Sequence, residues 1–167
     1  MDARRRRFLE AIEGVRIVAL DTNACIYHLE RQTAFSGLLD AVVARAIGGA
    51  LNIVLSAIVQ LELLVRPYAS GDLRALRHIL EFTEEHAGVI TTPISREVVQ
   101  VSAQIRAMTR LKLPDAMVVG AAIVEGADLI IGNDGKFDQL NSSAPLEVVN
   151  GPRRLRVPKF IRLDDYT

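Results

Sequence analysis

Short apolar runs rich in β-branched residues alternate along the chain with longer amphipathic stretches, and this alternation constrains the fold more than any other feature. Each run is bounded by polar residues, which is typical of strands that are buried on both faces. We predict five strands from these runs, at residues 15–20, 52–56, 88–92, 128–131 and 146–149. Strands that alternate with helices favour a parallel sheet covered on both sides.

Helix start and stop signals fill the intervals between these strands. Polar residues such as Ser56 and Asp72 stand where caps are expected, Gly48-Gly49 ends one stretch, and Pro67 is expected to stop another near Arg66. The predicted helices occupy residues 24–31, 36–47, 57–66, a stretch from 72, 95–110 and 114–125. The fold class that follows is a three-layer α/β/α sandwich with a central, mainly parallel five-stranded sheet.

Length and composition indicate one domain spanning residues 1–167, of which half are hydrophobic. Its core is expected at about 15–150, after a basic lead-in at 1–14 and before a basic C-terminal tail at 151–167. No apolar run approaches the roughly 20 residues that cross a bilayer, so no membrane partner is expected. The single cysteine, Cys25, excludes an intrachain disulfide or a cysteine-rich zinc site and fits a reducing cytoplasm.

Charge is balanced overall, with 20 basic and 20 acidic residues, which is not typical of a nucleic-acid-binding domain. It is uneven, however, because Arg4–Arg7 form one basic block and residues 153–162 carry a second. Solvated termini are the simpler interpretation of each block, and contacts with phosphate groups are the alternative.

Four acidic residues, Asp21, Glu62, Asp115 and Asp134, stand near the ends of predicted strands or in the helices beside them. Each has an ordinary structural explanation on its own: a helix cap for Asp21, a helix first turn for Asp115 and a turn for Asp134. Glu62 is flanked by leucines, where an unpaired carboxylate is costly. Since sites in parallel sheets form outside the carboxyl ends of strands, we expect the four to converge.

Converging carboxylates need a cation. Two unit charges about 4 Å apart repel by about 4 kcal/mol at an effective dielectric constant of 20, which either raises pKa values or recruits a divalent ion. Ligands that are all oxygen favour Mg²⁺, with Mn²⁺ as a substitute. A hydrated Mg²⁺ ion in an acidic cleft is suited to phosphoryl chemistry.

Three segments, LDTNACIY, LSAIVQLELL and LPDAMVVGAAIVEGADLIIGNDGKF, resemble the PIN-domain nucleases, and within these the VapC-type toxins of toxin–antitoxin pairs. The resemblance spans residues 17–149. It implies a metal-dependent endoribonuclease that hydrolyses RNA to leave a 5′-phosphate and a 3′-hydroxyl. By the same resemblance, the catalytic residues are Asp21, Glu62, Asp115 and Asp134. The implied metal ligands are Asp21, Asp115 and Asp134, with Thr22, Asn23, Ser56 and Asn133 as polar support.

The resemblance also implies partners: an RNA substrate, a cognate antitoxin protein and a second copy in a homodimer. The antitoxin is expected on the helices of residues 24–47 together with those around Glu62 and Leu73. Two other functions stay open, a housekeeping PIN nuclease in RNA maturation and a non-catalytic PIN-like module that binds RNA or protein.

One position departs from the family pattern. Gly132 stands where the family commonly has Thr or Ser, so a hydroxyl that contacts the carboxylates or the metal-bound water is absent. Asp138 is an accessory metal ligand in one interpretation and a solvated side chain in the other. Arg110 and Lys112 precede Asp115 closely and either guide the RNA backbone or form an exposed polar face.

Overall fold

The computed structural model describes residues 3–167, whose central sheet is parallel throughout. The strands of this range are β1 (Ile17–Leu20), β2 (Asn52–Ser56), β3 (Val89–Thr92), β4 (Leu129–Gly132), β5 (Glu147–Asn150), β6 (Arg153–Arg156) and β7 (Lys159–Arg162). The central sheet has the order β3-β2-β1-β4-β7, and each of its neighbouring pairs is parallel. The predicted fold class is therefore confirmed.

Helices cover both faces of this sheet, and two of them follow the predicted caps Ser56 and Asp72. The side chains of Asp21, Ser56, Asp72 and Ser95 each accept a hydrogen bond from a backbone amide in the first turn of a helix. The helices are α1 (Ala3–Ala11), α2 (Thr22–Leu29), α3 (Thr33–Ile47), α4 (Ala57–Ser70), α5 (Leu73–Leu80), α6 (Arg96–Met108) and α7 (Leu113–Val124). A π-helical turn (Glu81–Glu85) and two 3-10 segments (Gly135–Asn141, Leu163–Tyr166) complete the described elements.

Alternating side chains of the central strands supply two apolar layers. Val18 and Leu20 of β1 pack into the cluster formed with α1 to α5, whereas Ala19 packs into the cluster formed with α6 and α7. Successive strand residues point to opposite faces, so one short run contributes to both layers. This arrangement produces the α/β/α sandwich and brings the carboxyl ends of the central strands to one edge.

The predicted fifth strand of the central sheet was wrong. Residues 147–150 do form β5, but β5 pairs antiparallel with β6 in a separate two-stranded sheet. β7 takes the fifth position, and it comes from the segment assigned as a tail. The edge strand was missed because its basic residues lie among apolar ones, with Phe160 buried and Lys159 exposed, which resembles a charged tail.

The basic lead-in is also a structural part of the molecule. Its residues from Ala3 form α1, in which Phe8 is fully buried, and Ile12 directly after this helix is fully buried as well. The Phe8 ring packs edge-to-face on Tyr166 with the centroids 5.4 Å apart. The packed core of the described residues thus extends beyond residues 15–150 at both ends. None of the helices within residues 3–167 has the length and apolar character needed to span a membrane.

The expected end of α4 at Pro67 was wrong as well. The helix continues to Ser70, and Gly71 then ends it in a left-handed conformation with φ of 70°. Pro67 lies in the last turn and is itself buried, while its carbonyl still accepts a hydrogen bond from Asp72 N at 3.0 Å. Because a proline at this place removes a single amide donor close to the helix end, burial of its ring can offset the loss.

Candidate functional site

An open cleft of about 530 Å³ lies at the carboxyl edge of the sheet, beside the ends of β1 and β4. Asp21 directly follows β1, Asp134 follows β4, Asp115 is in the first turn of α7, and Glu62 is on α4. The side chains around the cleft are those of Asp21, Thr22, Asn23, Glu62, Val65, Pro114, Asp115, Val118, Asp134, Lys136 and Phe137. The structure thus brings all four predicted acids to one concave surface.

Asp21 forms the floor of the cleft and is only 4% exposed. Its backbone amide continues the β1–β4 ladder by donating to Ile131 O at 3.1 Å, and its Oδ1 accepts a hydrogen bond from Ala24 N at 2.7 Å. Burial raises the pKa of the Asp21 carboxyl to about 6, although the backbone amides of Ala24 and Asn133 and the charge of Lys136 act in the opposite direction. Backbone donors orient the carboxylate, but they and the charge of Lys136 do not fully offset the effect of burial on its pKa.

Gly132 explains how the Asp21 carboxylate fits against the sheet. A Cβ atom at Gly132 would lie 2.2 Å from Asp21 Oδ2 and 2.4 Å from its Cγ. The space that a serine or threonine side chain would fill is therefore taken by the Asp21 carboxylate itself. A serine or threonine at position 132 would therefore require the Asp21 carboxylate to move.

Asp115 and Asp134 both form salt bridges with Lys136. Lys136 Nζ lies 2.9 Å from Asp115 Oδ1 and 2.8 Å from Asp134 Oδ2. Burial alone would raise the pKa of Asp134, but the hydrogen bonds from the Lys136 side chain and backbone amide outweigh it and hold the pKa below its ordinary value. Burial likewise lowers the pKa of Lys136, and the two carboxylates outweigh it and raise that pKa.

Lys136 was missed from the sequence. A signal was present, because a basic residue two positions after Asp134, on a turn that begins with Gly135, stays close to that carboxylate. Its contact with Asp115 had no such signal, since Asp115 comes from another element.

Glu62 contributes from the opposite wall of the cleft. Its Oε2 accepts a hydrogen bond from the Thr22 hydroxyl, which joins α4 to the first residue of α2. Glu62 is exposed, so the expected desolvation cost beside its leucine neighbours does not arise. Helix α4 turns Leu63 inward and presents Glu62 to the cleft.

The remaining predicted residues lie at different places. Asn23 lines the cleft, whereas the Asn133 side chain accepts a hydrogen bond from Asp164 N at 2.9 Å. Ser56 is buried as the cap of α4, with its Oγ 3.2 Å from Ile58 N, and it is not among the residues that line the cleft. Asp138 is exposed and pairs with Arg162 outside the cleft.

The two basic candidates for RNA contact are both exposed near the cleft. Arg110, together with Gly135, Lys136 and Gln139, lines a neighbouring depression of about 520 Å³. Lys112 immediately precedes α7, three residues before Asp115.

The donor set fits a hard divalent cation better than a soft one. Among residues 3–167, no three Asp, Glu, His or Cys side chains are placed to hold one ion together in the present arrangement. Two carboxylates do converge on one positively charged atom, and Mg²⁺ typically takes one or two carboxylates together with several waters. Asp115 and Asp134 therefore fit such an ion, and the Asp21 carboxylate lines the same cleft within electrostatic range of Lys136 and Asp134.

The sequence model of the PIN domain matches residues 18–142. Among solved structures, the chain is similar to VapBC2 from Rickettsia felis bound to a promoter DNA fragment, with 19% identity and a TM-score of 0.60 over 74% of this chain and 92% of that one. VapBC-1 from nontypeable Haemophilus influenzae has 16% identity and a TM-score of 0.60 over 89% and 98% of the two chains. A toxin–antitoxin complex from Klebsiella pneumoniae has 20% identity and a TM-score of 0.53 over 70% and 86%.

At these identities the structural matches show the fold. No curated protein matches the chain in sequence.

Proposed function

The chain belongs to the PIN-domain family, whose members are nucleases, and on that premise we propose that it is a metal-dependent endoribonuclease and the toxin of a toxin–antitoxin pair. The observation that carries the proposal is the convergence of four acidic side chains on one cleft, two of them on a single positive charge. Its site of action is the cytoplasm, in keeping with a single buried cysteine.

In the proposed reaction, Asp21, Asp115 and Asp134 would hold Mg²⁺, for which Mn²⁺ would substitute. The bound ion would lower the pKa of a water molecule and stabilise the leaving oxygen of the RNA phosphodiester. Asp21 is held for this role by its hydrogen bond with Ala24 N and by burial, so it cannot turn away from the cleft floor without losing its cap. Hydrolysis would leave a 5′-phosphate and a 3′-hydroxyl, and the 2′-hydroxyl is not required.

Glu62 has a separate role in this proposal. The Thr22 hydroxyl fixes one carboxylate oxygen, which leaves the other free to accept a proton from the attacking water. Asn23 adds a polar group on the same wall of the cleft.

The basic side chains beside the cleft would contact the RNA backbone. Arg110 lines a depression that shares Lys136 with the acidic cleft, and Lys112 is exposed close by. Contacts between arginine or lysine and phosphate oxygens position a nucleic acid without reading its sequence.

Cleavage of a mixed RNA pool by the antitoxin-free protein tests the proposal. We expect fragments with 5′-phosphates in Mg²⁺ or Mn²⁺, none in EDTA, and at least a 100-fold loss of rate in Asp115→Asn, because one of the paired carboxylates is removed. The matched control is Glu147→Gln, which removes an exposed carboxylate on β5. Equal cleavage by the parent and Asp115→Asn, or none with either metal from folded protein, would contradict the proposal and favour a non-catalytic module.

An antitoxin segment is the proposed occupant of a groove between α2, α4 and α5. The groove measures about 570 Å³, its apolar lining includes Ile26, Leu29 and Leu63, and its charged rim includes Arg66. Glu62 lines both this groove and the acidic cleft, so a partner seated in the groove would contact one of the four acids. Support comes from the solved relatives, which are described as VapBC or toxin–antitoxin complexes.

Co-expression tests this part. We expect growth arrest on induction of the chain alone, relieved by a small adjacent gene whose product co-purifies with the parent and not with Leu63→Arg, provided that circular dichroism shows the variant folded. Growth arrest that no neighbouring gene relieves would favour a housekeeping nuclease.

A homodimer is proposed through the outer face of α4. Leu61, Val65 and Tyr68 are between 56% and 65% exposed and share one side of the helix, and Leu113 of α7 is 55% exposed. Large apolar side chains grouped in this way are typical of an interface between proteins. Light scattering on the purified chain should give the mass of a dimer, and Val65→Glu should give a monomer.

A further inference from the structure

Lys136 occupies the position in the cleft where a cation is most favoured. Its ammonium lies within 2.9 Å of oxygens from two carboxylates, one on α7 and one after β4. Asp115 is 16% exposed and largely shielded from solvent, whereas Asp134 is 36% exposed and only partly shielded. Solvent therefore screens their mutual repulsion only in part, and the ammonium relieves the rest.

An ammonium and a divalent ion cannot share this position. The two oxygens are less than about 6 Å apart, since both lie within 2.9 Å of Nζ. Mg²⁺ binds oxygen at about 2.0–2.1 Å, so an ion held by both carboxylates would stand where the ammonium now stands. An ammonium and a divalent ion placed between the same two oxygens would repel each other strongly.

The surroundings of Lys136 let its side chain leave while its backbone stays. The 3-10 segment that carries it is anchored by Phe137, which is 1% exposed, whereas the Lys136 side chain is 41% exposed. The side chain also borders the depression beside Arg110 and Gln139, which offers open space next to the cleft.

We propose that Lys136 is a resident counter-ion of the cleft, which pairs Asp115 with Asp134 in the metal-free protein and which a divalent ion must displace in order to bind. The inference rests on the proposed function in one respect, that a divalent ion binds these carboxylates. It assigns Lys136 a positioning role in assembling the site.

Two consequences separate this role from that of a passive surface lysine. Removal of the ammonium should tighten binding of a divalent ion by about tenfold or more. An opposite charge at contact distance changes the proton affinity of a carboxylate by about 10- to 1,000-fold, and we expect a comparable effect on its affinity for a competing metal ion. Removal should also lower the thermal midpoint of the metal-free protein, because the two carboxylates then face each other without a counter-charge.

Titration of Mn²⁺ into the metal-free full chain, followed by calorimetry, tests the first consequence, and thermal unfolding in EDTA tests the second. The variants are Lys136→Met, Lys136→Arg and the matched control Lys159→Met, whose lysine is exposed at the amino end of β7, on the opposite edge of the sheet. We expect Lys136→Met to bind Mn²⁺ about tenfold more tightly and to melt at a lower temperature. Lys136→Arg and Lys159→Met should resemble the parent in both measurements.

An unchanged Mn²⁺ affinity in Lys136→Met, with the parent still binding Mn²⁺ and cleaving RNA, would overturn this inference and leave the proposed function intact. If neither protein binds Mn²⁺, the metal chemistry of the proposed function fails and this inference fails with it. Binding by Lys136→Met alone would support displacement in its strongest form.

Discussion

Asp21 caps a helix, and burial also disfavours the charged form of its carboxyl group. Its side chain caps α2 and lies almost entirely out of solvent, and burial raises its pKa from 3.8 to about 6. A carboxyl whose pKa is higher in the folded chain than in the unfolded chain costs stability above about pH 6. That cost fades as the pH falls towards 3.8, since the folded protein then binds the proton more tightly.

Replacement of Asp21 by asparagine should therefore stabilise the protein in EDTA. At pH 7.5 we expect Asp21→Asn to gain about 2–3 kcal/mol in the free energy of unfolding over the parent, because asparagine still caps a helix and carries no charge. At about pH 4.5 most of this gain should be gone. Urea unfolding at the two pH values measures it. The control Glu13→Gln, an exposed site, should show no gain, and a gain in Asp21→Asn that does not depend on pH would contradict the argument.

Gly132 acts at the same scale. Its missing side chain is what lets the Asp21 carboxylate lie against the backbone of β4, since a Cβ there would be 2.2 Å from Oδ2. Any residue with a side chain at this position would displace the Asp21 carboxylate.

At the scale of elements, α6 and α7 approach each other so closely that a glycine is required between them. A Cβ on Gly120 would lie 2.0 Å from Ser102 Oγ and 3.1 Å from Ser102 Cβ. The Ser102 hydroxyl is buried and has no hydrogen-bond partner among residues 3–167. This close packing holds α7, and with it Asp115, at the edge of the cleft.

A double-mutant cycle tests the contact. Gly120→Ala should cost more than about 2 kcal/mol in the free energy of unfolding, because the added methyl group meets Ser102 in a packed interior. Ser102→Ala should be neutral or slightly stabilising, since it removes an unpaired hydroxyl. In the Ser102→Ala background, Gly120→Ala should cost at least about 1 kcal/mol less. Additive costs, measured by urea unfolding, would show that the two positions do not interact.

At the scale of the whole molecule, the two chain ends pack together beyond the region that matches the family. Phe8 of α1 is fully buried and contacts Tyr166, and both lie outside residues 18–142. The Arg7 side chain also donates a hydrogen bond to Asp165 O at 3.2 Å. The ends are therefore structural parts of the sandwich.

Phe8→Ala should reduce the free energy of unfolding by about 3–5 kcal/mol, because it leaves a cavity beneath α1 and removes an aromatic pair. The matched control is Arg5→Ala on the same helix, an exposed position where the change should stay within about 0.5 kcal/mol. Denaturant unfolding measures both. A Phe8→Ala protein as stable as the control would mean that α1 is not part of the cooperative core.

At this scale, some features of the fold could be predicted from the sequence and others could not. The positions of β2, of the cap Ser56, and of Asp21 and Asp134 after the ends of two strands could be predicted from the sequence, because they depend on hydrogen bonding and side-chain alternation within a few residues. Pro67 shows where such local reasoning fails, since its burial by distant residues lets α4 continue through it.

Only the tertiary structure decided that β7 and not β5 completes the sheet, that Lys136 beside Asp134 also contacts Asp115, and that the Asp21 carboxylate occupies the space at Gly132. The physical reason is the same in each case. These contacts join parts of the chain far apart in sequence, so the free energy that selects them depends on the packed fold and leaves no pattern among neighbouring residues. The sequence by itself determined which elements form and which chemistry they carry, and the fold determined which of those groups meet.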